Sequence, residues 1–387
     1  MSPDASLETV TAWVIVLCLT IYSLLGGADF GGGVWDLFAH GPRKDQQRAH
    51  IAHAIGPIWE ANHVWLIVLI VLLFSGFPAA FSAIMTALHI PVTLALIGIV
   101  ARGTSFTFRT YDRPDAAQRR WGLVFSVSSL LTPVLLGVTL GTIASGELRF
   151  EGRVYLGSWI DPWLGLFPVS VGLFTLSIFA FLAAVYLCVE VADADADAGA
   201  VRRQEEGEGS RVEGGEDEED VDQALLQEDF RKRALASGVA VGFFAGVTWL
   251  LALDGAPWLS ERLSGSWWTW PLQILTGLAA LTALGALLTR RFILARAAAV
   301  LQASLIIFGF GAGMAPHLVV PDFTVQNAAA PPVMHALLLG ALALGSLILL
   351  PSLYYLFRVF KGERAFALLD HAEGARRDPA GSAPPRG

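Results

Sequence analysis

The chain has 387 residues, is 54% hydrophobic and only 16% charged, and has a mean hydropathy of +0.57, an apolar fraction above that of an ordinary soluble domain. Its formal net charge of −8 is concentrated: residues 193–229 hold 15 of the 34 acidic residues against three arginines, so that stretch carries −12 and the remainder +4. This composition excludes a soluble globular enzyme and predicts an all-α, multi-pass integral membrane protein. The two cysteines, Cys18 and Cys188, lie in apolar runs without the spacing of a disulfide framework or a zinc site.

In chain order, apolar segments long enough to span a hydrocarbon core fall near 8–29, 57–77, 82–102, 121–144, 163–189, 234–254, 268–289, 293–315 and 332–358. They are continuous rather than alternating, so they read as about nine transmembrane helices and not as barrel strands. The first is read as a retained helix, because the residues before it lack Lys and Arg and the run ends in "GGADFGGG". "GPRKDQQRAHIAHAIG" has helical composition but too little length to span, and is expected along the membrane surface.

Small-residue pairs at Gly137/Gly141 and Gly309/Gly313 allow close helix approach. Two four-helix bundles plus one peripheral helix would accommodate the count. The predicted organisation is a first transmembrane half over 1–190 and an acidic, disordered loop over 191–232. A second transmembrane half over 233–362 and a disordered tail over 363–387 complete it.

Basic residues set the orientation. With the N-terminus outside, 23 of the 26 Lys and Arg residues fall in inner loops or the C-terminal tail, leaving Arg149, Arg153 and Arg262 outside. The acidic loop and the C-terminus are then cytoplasmic.

Chemistry-bearing residues gather at the inner ends of the first three predicted helices. Asp29 closes the first, Glu60 opens the second, and Arg102 ends the third. A carboxylate there must face protein, water or a partner. Glu60 reads equally as a helix N-terminal acid or as a proton carrier. His63, three residues on, could be its hydrogen-bond partner or, less expectedly, a haem ligand. Arg102 suits an ion pair with Asp29 or Glu60, whereas Arg109 reads as a topological anchor. Thr86, His89 and Thr93 form a stripe open to two readings, a hydrated path or a packed seam, and Ser129, Thr132 and Thr139 are equally ambiguous. No P-loop or dinucleotide fingerprint is present, and no nucleic-acid partner is expected.

Four stretches together resemble subunit II of the cytochrome bd-type quinol oxidases: "GGADFGGGVWDL", "IGPIWEANHVWLI", "RGTSFTFR" and "PHLVVPDFTVQNAAAPP". The resemblance runs from about residue 8 to residue 362. It implies a heterodimer of the aerobic respiratory chain whose partner, subunit I, holds two haems b and one haem d together with the quinol site, and reduces dioxygen to water. Subunit II would hold no haem of its own and no metal. It would complete a proton path from the cytoplasm through Glu60, Asp29, Arg102 and His63, and an oxygen path or interface at Trp65 and Trp59. A structural quinone, held by some members in subunit II, and a small accessory subunit are both compatible with the resemblance.

Two departures stand out: some members have a second acid where this chain has Gly26, and an acid where it has Thr107. The alternative reading is a proton- or cation-coupled secondary transporter, which would tend to show inverted repeats and midplane charges. A third is a purely structural subunit.

Overall fold

The computed structural model describes residues 6–55, 59–111, 115–152, 154–207 and 216–376, without the side chains of 55, 59–61, 109–111, 115–117, 193–207, 216–220 and 356–376. Its architecture follows from one helix, α8 (Leu166–Gly207), whose middle reads "IFAFLAAVYLCV" with no polar face. A helix apolar all round belongs in the interior. Phe179, Leu182, Val185 and Cys188 of α8 are buried accordingly, in a core shared with Phe30, Phe125, Phe230, Leu287 and Ala299.

Around it run α1 (Leu7–Leu37), α2 (Lys44–Ile55), α3 (Trp59–Gly76), α4 (Pro78–Ala87), α5 (His89–Tyr111) and α6 (Asp115–Ser145). A hairpin of β1 (Phe150–Glu151) and β2 (Val154–Tyr155) and the short α7 (Asp161–Leu164) lead into α8. Then come α9 (Glu216–Gly255), α10 (Pro257–Gly265), α11 (Thr269–Leu288), α12 (Phe292–Met314), the hairpin β3 (His317–Val319) with β4 (Phe323–Thr324), and α13 (Pro332–Arg376). Both hairpins are antiparallel.

Among the described residues eight helices are long and apolar enough to cross a membrane. A ninth span results if Asn62–Gly76 and Pro78–Ala87, bent by 114° at their break, are counted as one. The chain divides into two units, Met1–His335 and Ala336–Gly387. The boundary thus falls within α13 and not at the acidic segment. In the first unit α8 packs against α1 and α6 from before that segment and against α9 and α12 from after it, so the main core draws on both predicted halves. The second unit is the remainder of α13 and the chain beyond it.

Glycines decide how closely α8 is approached. A Cβ on Gly31 of α1 would collide with the Phe179 carbonyl oxygen, and one on Gly27 with the Leu182 side chain. Gly137 and Gly141 of α6 lie in the same way against Gly172, Val171 and Pro168 of α8, so that small-residue pair performs the packing its spacing suggests.

Several expectations need correction. Helix α1 does not end at Asp29 but continues to Leu37, because the helices packed on its glycine run hold it helical where propensity alone would break it. Likewise α5 continues past Arg102 to Tyr111. The 191–232 segment, expected as a disordered linker, is helical where described: α8 reaches Gly207 and α9 starts at Glu216. Part of the reason is tertiary. Asp229 accepts hydrogen bonds from Arg43 Nη2 and Gln47 Nε2, each at 3.0 Å, and Arg233 Nη2 donates to Gln47 Oε1 at 2.6 Å. Phe230 and Leu226 are buried beside them. The predicted tail from 363 is helical as far as Arg376, in a run with several good helix formers. Thr86, His89 and Thr93 do not form an internal stripe. The helix breaks at Leu88 and all three are exposed.

Candidate functional site

Asp29 sits eight residues before the end of α1 and is fully buried; Arg102, on α5, is 1% exposed. Arg102 Nη2 donates to the Asp29 carboxylate and, at 3.2 Å, to the Asp29 backbone carbonyl. The guanidinium also lies between two rings, 5.0 Å from the centroid of Phe30 and 5.1 Å from that of Phe125. Ser105 Oγ donates to the Arg102 carbonyl at 3.0 Å. Three helices therefore meet at one charge pair: α1 brings Asp29 and Phe30, α5 brings Arg102, and α6 brings Phe125.

Taking two charges out of water costs several kcal/mol per ion, recovered only with good geometry and further hydrogen bonds. Here that satisfaction is incomplete among the described residues. The second Asp29 carboxylate oxygen, Arg102 Nε and Nη1, the Tyr22 hydroxyl, both polar atoms of the Asn62 amide, His63 Nδ1 and Thr132 Oγ1 are buried without a hydrogen-bond partner. Buried polar groups are nearly always paired, with ordered water where protein does not serve. These open valences gather around the Asp29–Arg102 pair on α1, α3, α5 and α6.

The predicted site residues separate as follows. Asp29 and Arg102 are paired, and His63 and Asn62 of α3 lie close enough to bear on the Asp29 carboxylate. Trp65 packs half-buried against the main core. Glu60 and Trp59 lie in the first turn of α3, with side chains outside the described residues, as is that of Arg109. The expectation that Asp29 and Arg102 stand at helix ends is overturned. Both are about two turns inside their helices. At Gly26, one of the two departures, a Cβ would lie 3.1 Å from the Asn62 amide. Thr107 is exposed and donates to the Gly103 carbonyl at 3.2 Å.

The matching of a family model to residues 7–206 and 219–360, described as "Cytochrome bd terminal oxidase subunit II", decides the family. This chain belongs to the cytochrome bd terminal oxidase subunit II family. Among curated relatives, the cytochrome bd ubiquinol oxidase subunit 2 of Bacillus subtilis is 25% identical over 177 residues, 46% of this chain and 51% of that protein. The cytochrome bd-I ubiquinol oxidase subunit 2 of Escherichia coli is 27% identical over 179 residues, 45% of this chain and 47% of that protein. This chain thus spans about half the length of those two relatives. A solved bd oxidase structure from Geobacillus thermodenitrificans has the same fold, with a TM-score of 0.67 at 21% identity, over 92% of this chain and 98% of that one.

The quoted subunit II motifs now have places in the fold. "GGADFGGG" is the stretch of α1 that glycines press against α6 and α8 so that Asp29 can be buried. "PHLVVPDFTVQN" forms a tie at the other end of the bundle: Asp322 accepts from the Phe150 amide at 2.9 Å, and Val320 N donates to the Ile143 carbonyl at 3.1 Å. There the His317 ring meets Trp258 edge-on at 4.5 Å, and burial, with the nearby Arg262 charge, pushes the imidazole below its usual pKa range. Among the described residues no group of three or more His, Cys, Asp or Glu side chains could hold a metal ion.

Two cavities complete the picture. One, of about 350 Å³, is almost wholly apolar and lies between α1, α6, α8, α9, α11 and α12, with Leu19, Phe174, Trp249 and Phe310 in its wall. The other, of about 800 Å³, is polar and lies where α1 ends, between α2 and the start of α6. Sequence reasoning missed Asp36, which this cavity contains. Its signal was present: an acid seven residues after Asp29, two helical turns on the same face.

Proposed function

We propose that the chain is the haem-free partner in a quinol:dioxygen oxidoreductase of a bacterial inner membrane, with its N-terminus outside and its C-terminus cytoplasmic. It supports a haem-bearing subunit I, in which quinol oxidation and dioxygen reduction take place. Its own residues carry protons toward that chemistry from the cytoplasmic side. The observation that supports this most is the buried Asp29–Arg102 pair, ringed by polar atoms that have no hydrogen-bond partner among the described residues. An ion pair of this kind is weak as a stabilising device, and a hydrated carboxylate held inside a bundle is what proton transfer needs. Glu60, at the start of α3, stands nearer the inner face and serves as the outer carrier. Asp29 and His63 follow, and Arg102 holds the Asp29 carboxylate in place.

Reducing dioxygen consumes protons. Drawing them from inside while quinol releases its own outside separates charge without a pump. Trp65 and Trp59 belong to an oxygen route or to the subunit interface. The apolar cavity, rather than the polar one, has the wall that suits an isoprenoid quinone tail.

A buried charge pair would also suit a proton-coupled transporter, and family membership is what weighs against that reading. Gentle solubilisation separates the two, since an oxidase subunit co-purifies with a second large membrane subunit showing haem b and haem d bands. Within the intact complex, Glu60→Gln is expected to slow oxygen consumption at least about tenfold with haem content unchanged. Unaltered turnover would remove Glu60 from the path.

A further inference from the structure

The second acid on the inner stretch of α1, Asp36, is 1% exposed, yet it belongs to the wall of the 800 Å³ polar cavity. Among the described residues, the other charged groups lining that cavity are Lys44, Asp45 and Arg48 of α2 and Arg119 of α6. Asp36 Oδ2 accepts a hydrogen bond from Ser126 Oγ at 3.0 Å, and Arg48 Nε approaches Oδ1 at 3.8 Å. The Arg48 side chain is 31% exposed, so the pair borders the open side of the cavity.

From Ser126 a buried polar edge continues up α6. Ser129 and Thr132 follow at intervals of three, and all three are 1% exposed or less. Ser129 Oγ stands against Gly33 of α1, where a Cβ would displace it, and Gly33 lies between Asp29 and Asp36 in the sequence. Thr132 Oγ1 has no hydrogen-bond partner among the described residues. Phe125, next to Ser126, covers the Arg102 guanidinium. Asp36 and Asp29 share a helix face about 10 Å apart along the axis, at about 1.5 Å per residue.

We infer that the polar cavity beneath α2 is a second proton entrance beside that of Glu60, with Asp36 as the group that takes the proton up there and the Ser126–Ser129–Thr132 edge of α6 as its lead to Asp29. The inference rests on the proton-carrying role proposed for Asp29. Uptake places one proton from bulk water on an Asp36 carboxylate oxygen. Asp36 releases it along the hydroxyls of that edge to Asp29 and returns to the carboxylate. No electron moves, and each cycle draws one proton from the cavity.

The test uses the intact two-subunit oxidase in membrane vesicles, reading turnover with excess quinol across the pH range. Asp36→Asn should lose at least about fivefold at the alkaline end, where protons are scarce, and less than about twofold at the acidic end. The quinol KM and haem content should stay unchanged, and Asp36→Glu should restore the profile. A flat loss at every pH that glutamate does not rescue, or no loss at all, overturns the inference. Should Asp36→Asn assemble without haem, Ser129→Ala carries the decision. The same alkaline loss is expected of it, and an unchanged profile counts against the route. Asp29→Asn run alongside separates the two levels. Slow Asp29→Asn with normal Asp36→Asn places the entrance elsewhere and leaves the role of Asp29 standing, whereas two normal profiles remove both.

Discussion

Arg102→Leu is expected to destabilise the subunit by about 3–5 kcal/mol, the usual result of stranding one partner of a buried ion pair. Asp29 is fully buried, and the substitution leaves its carboxylate with neither the guanidinium that faces it nor the bond to its backbone carbonyl. Contacts of the cation with Phe30 and Phe125 are lost as well, each of order 0.5–2 kcal/mol. The loss can be read as a lowered melting temperature in detergent and a fall in assembled, haem-containing complex. The double variant Asp29→Leu/Arg102→Leu removes both charges, so most of the stability should return while turnover stays low. A single variant that melts like the parent would mean that the pair does not anchor α5 to α1.

The second large effect has a steric origin. Gly31→Ala adds a methyl group where the Phe179 carbonyl oxygen already lies, with the Ala183 side chain beside it. Backbone oxygen cannot swing aside as a side chain can, so α1 and α8 must part along their contact. Overpacking of a tight site typically costs about 1–3 kcal/mol, and parting the helices also shifts Asp29, two residues away. Gly122→Ala and Gly277→Ala serve as internal controls, since a Cβ at either position meets open space. In a helix interior those changes should be neutral or stabilising by up to about 1 kcal/mol. Melting curves of the three variants read the opposite signs directly. Similar losses at all three sites would show that the α1–α8 contact does not set the effect.

The membrane character, the helix count and the family were legible in the sequence because they depend on hydropathy, length and local motifs. Apolar runs of spanning length need no tertiary information, and neither do the four quoted stretches. Positions along the helix axis were not legible. Glycine-rich "GGADFGGG" reads locally as a helix end, but α8 and α6 close over it and the helix continues to Leu37. Asp29 moved from mouth to interior for that reason alone. The acidic segment misled in the opposite direction. Its charge density reads as disorder, while Arg43 and Gln47 of α2 give Asp229 and Arg233 of α9 something to fold against. Asp36 was passed over because an acid beside basic α2 reads as an ordinary surface residue, and its burial depends on how α2 and α6 close around the end of α1.

The most direct test of the account measures proton uptake from the inner compartment of vesicles containing the complete oxidase, following a pH indicator during a single burst of quinol oxidation. With Asp29→Asn in place, haem reduction by quinol should keep its normal rate while uptake from inside slows at least about tenfold. Uptake at the parental rate, with haem content and orientation verified, would show that protons reach the oxygen chemistry without passing this carboxylate.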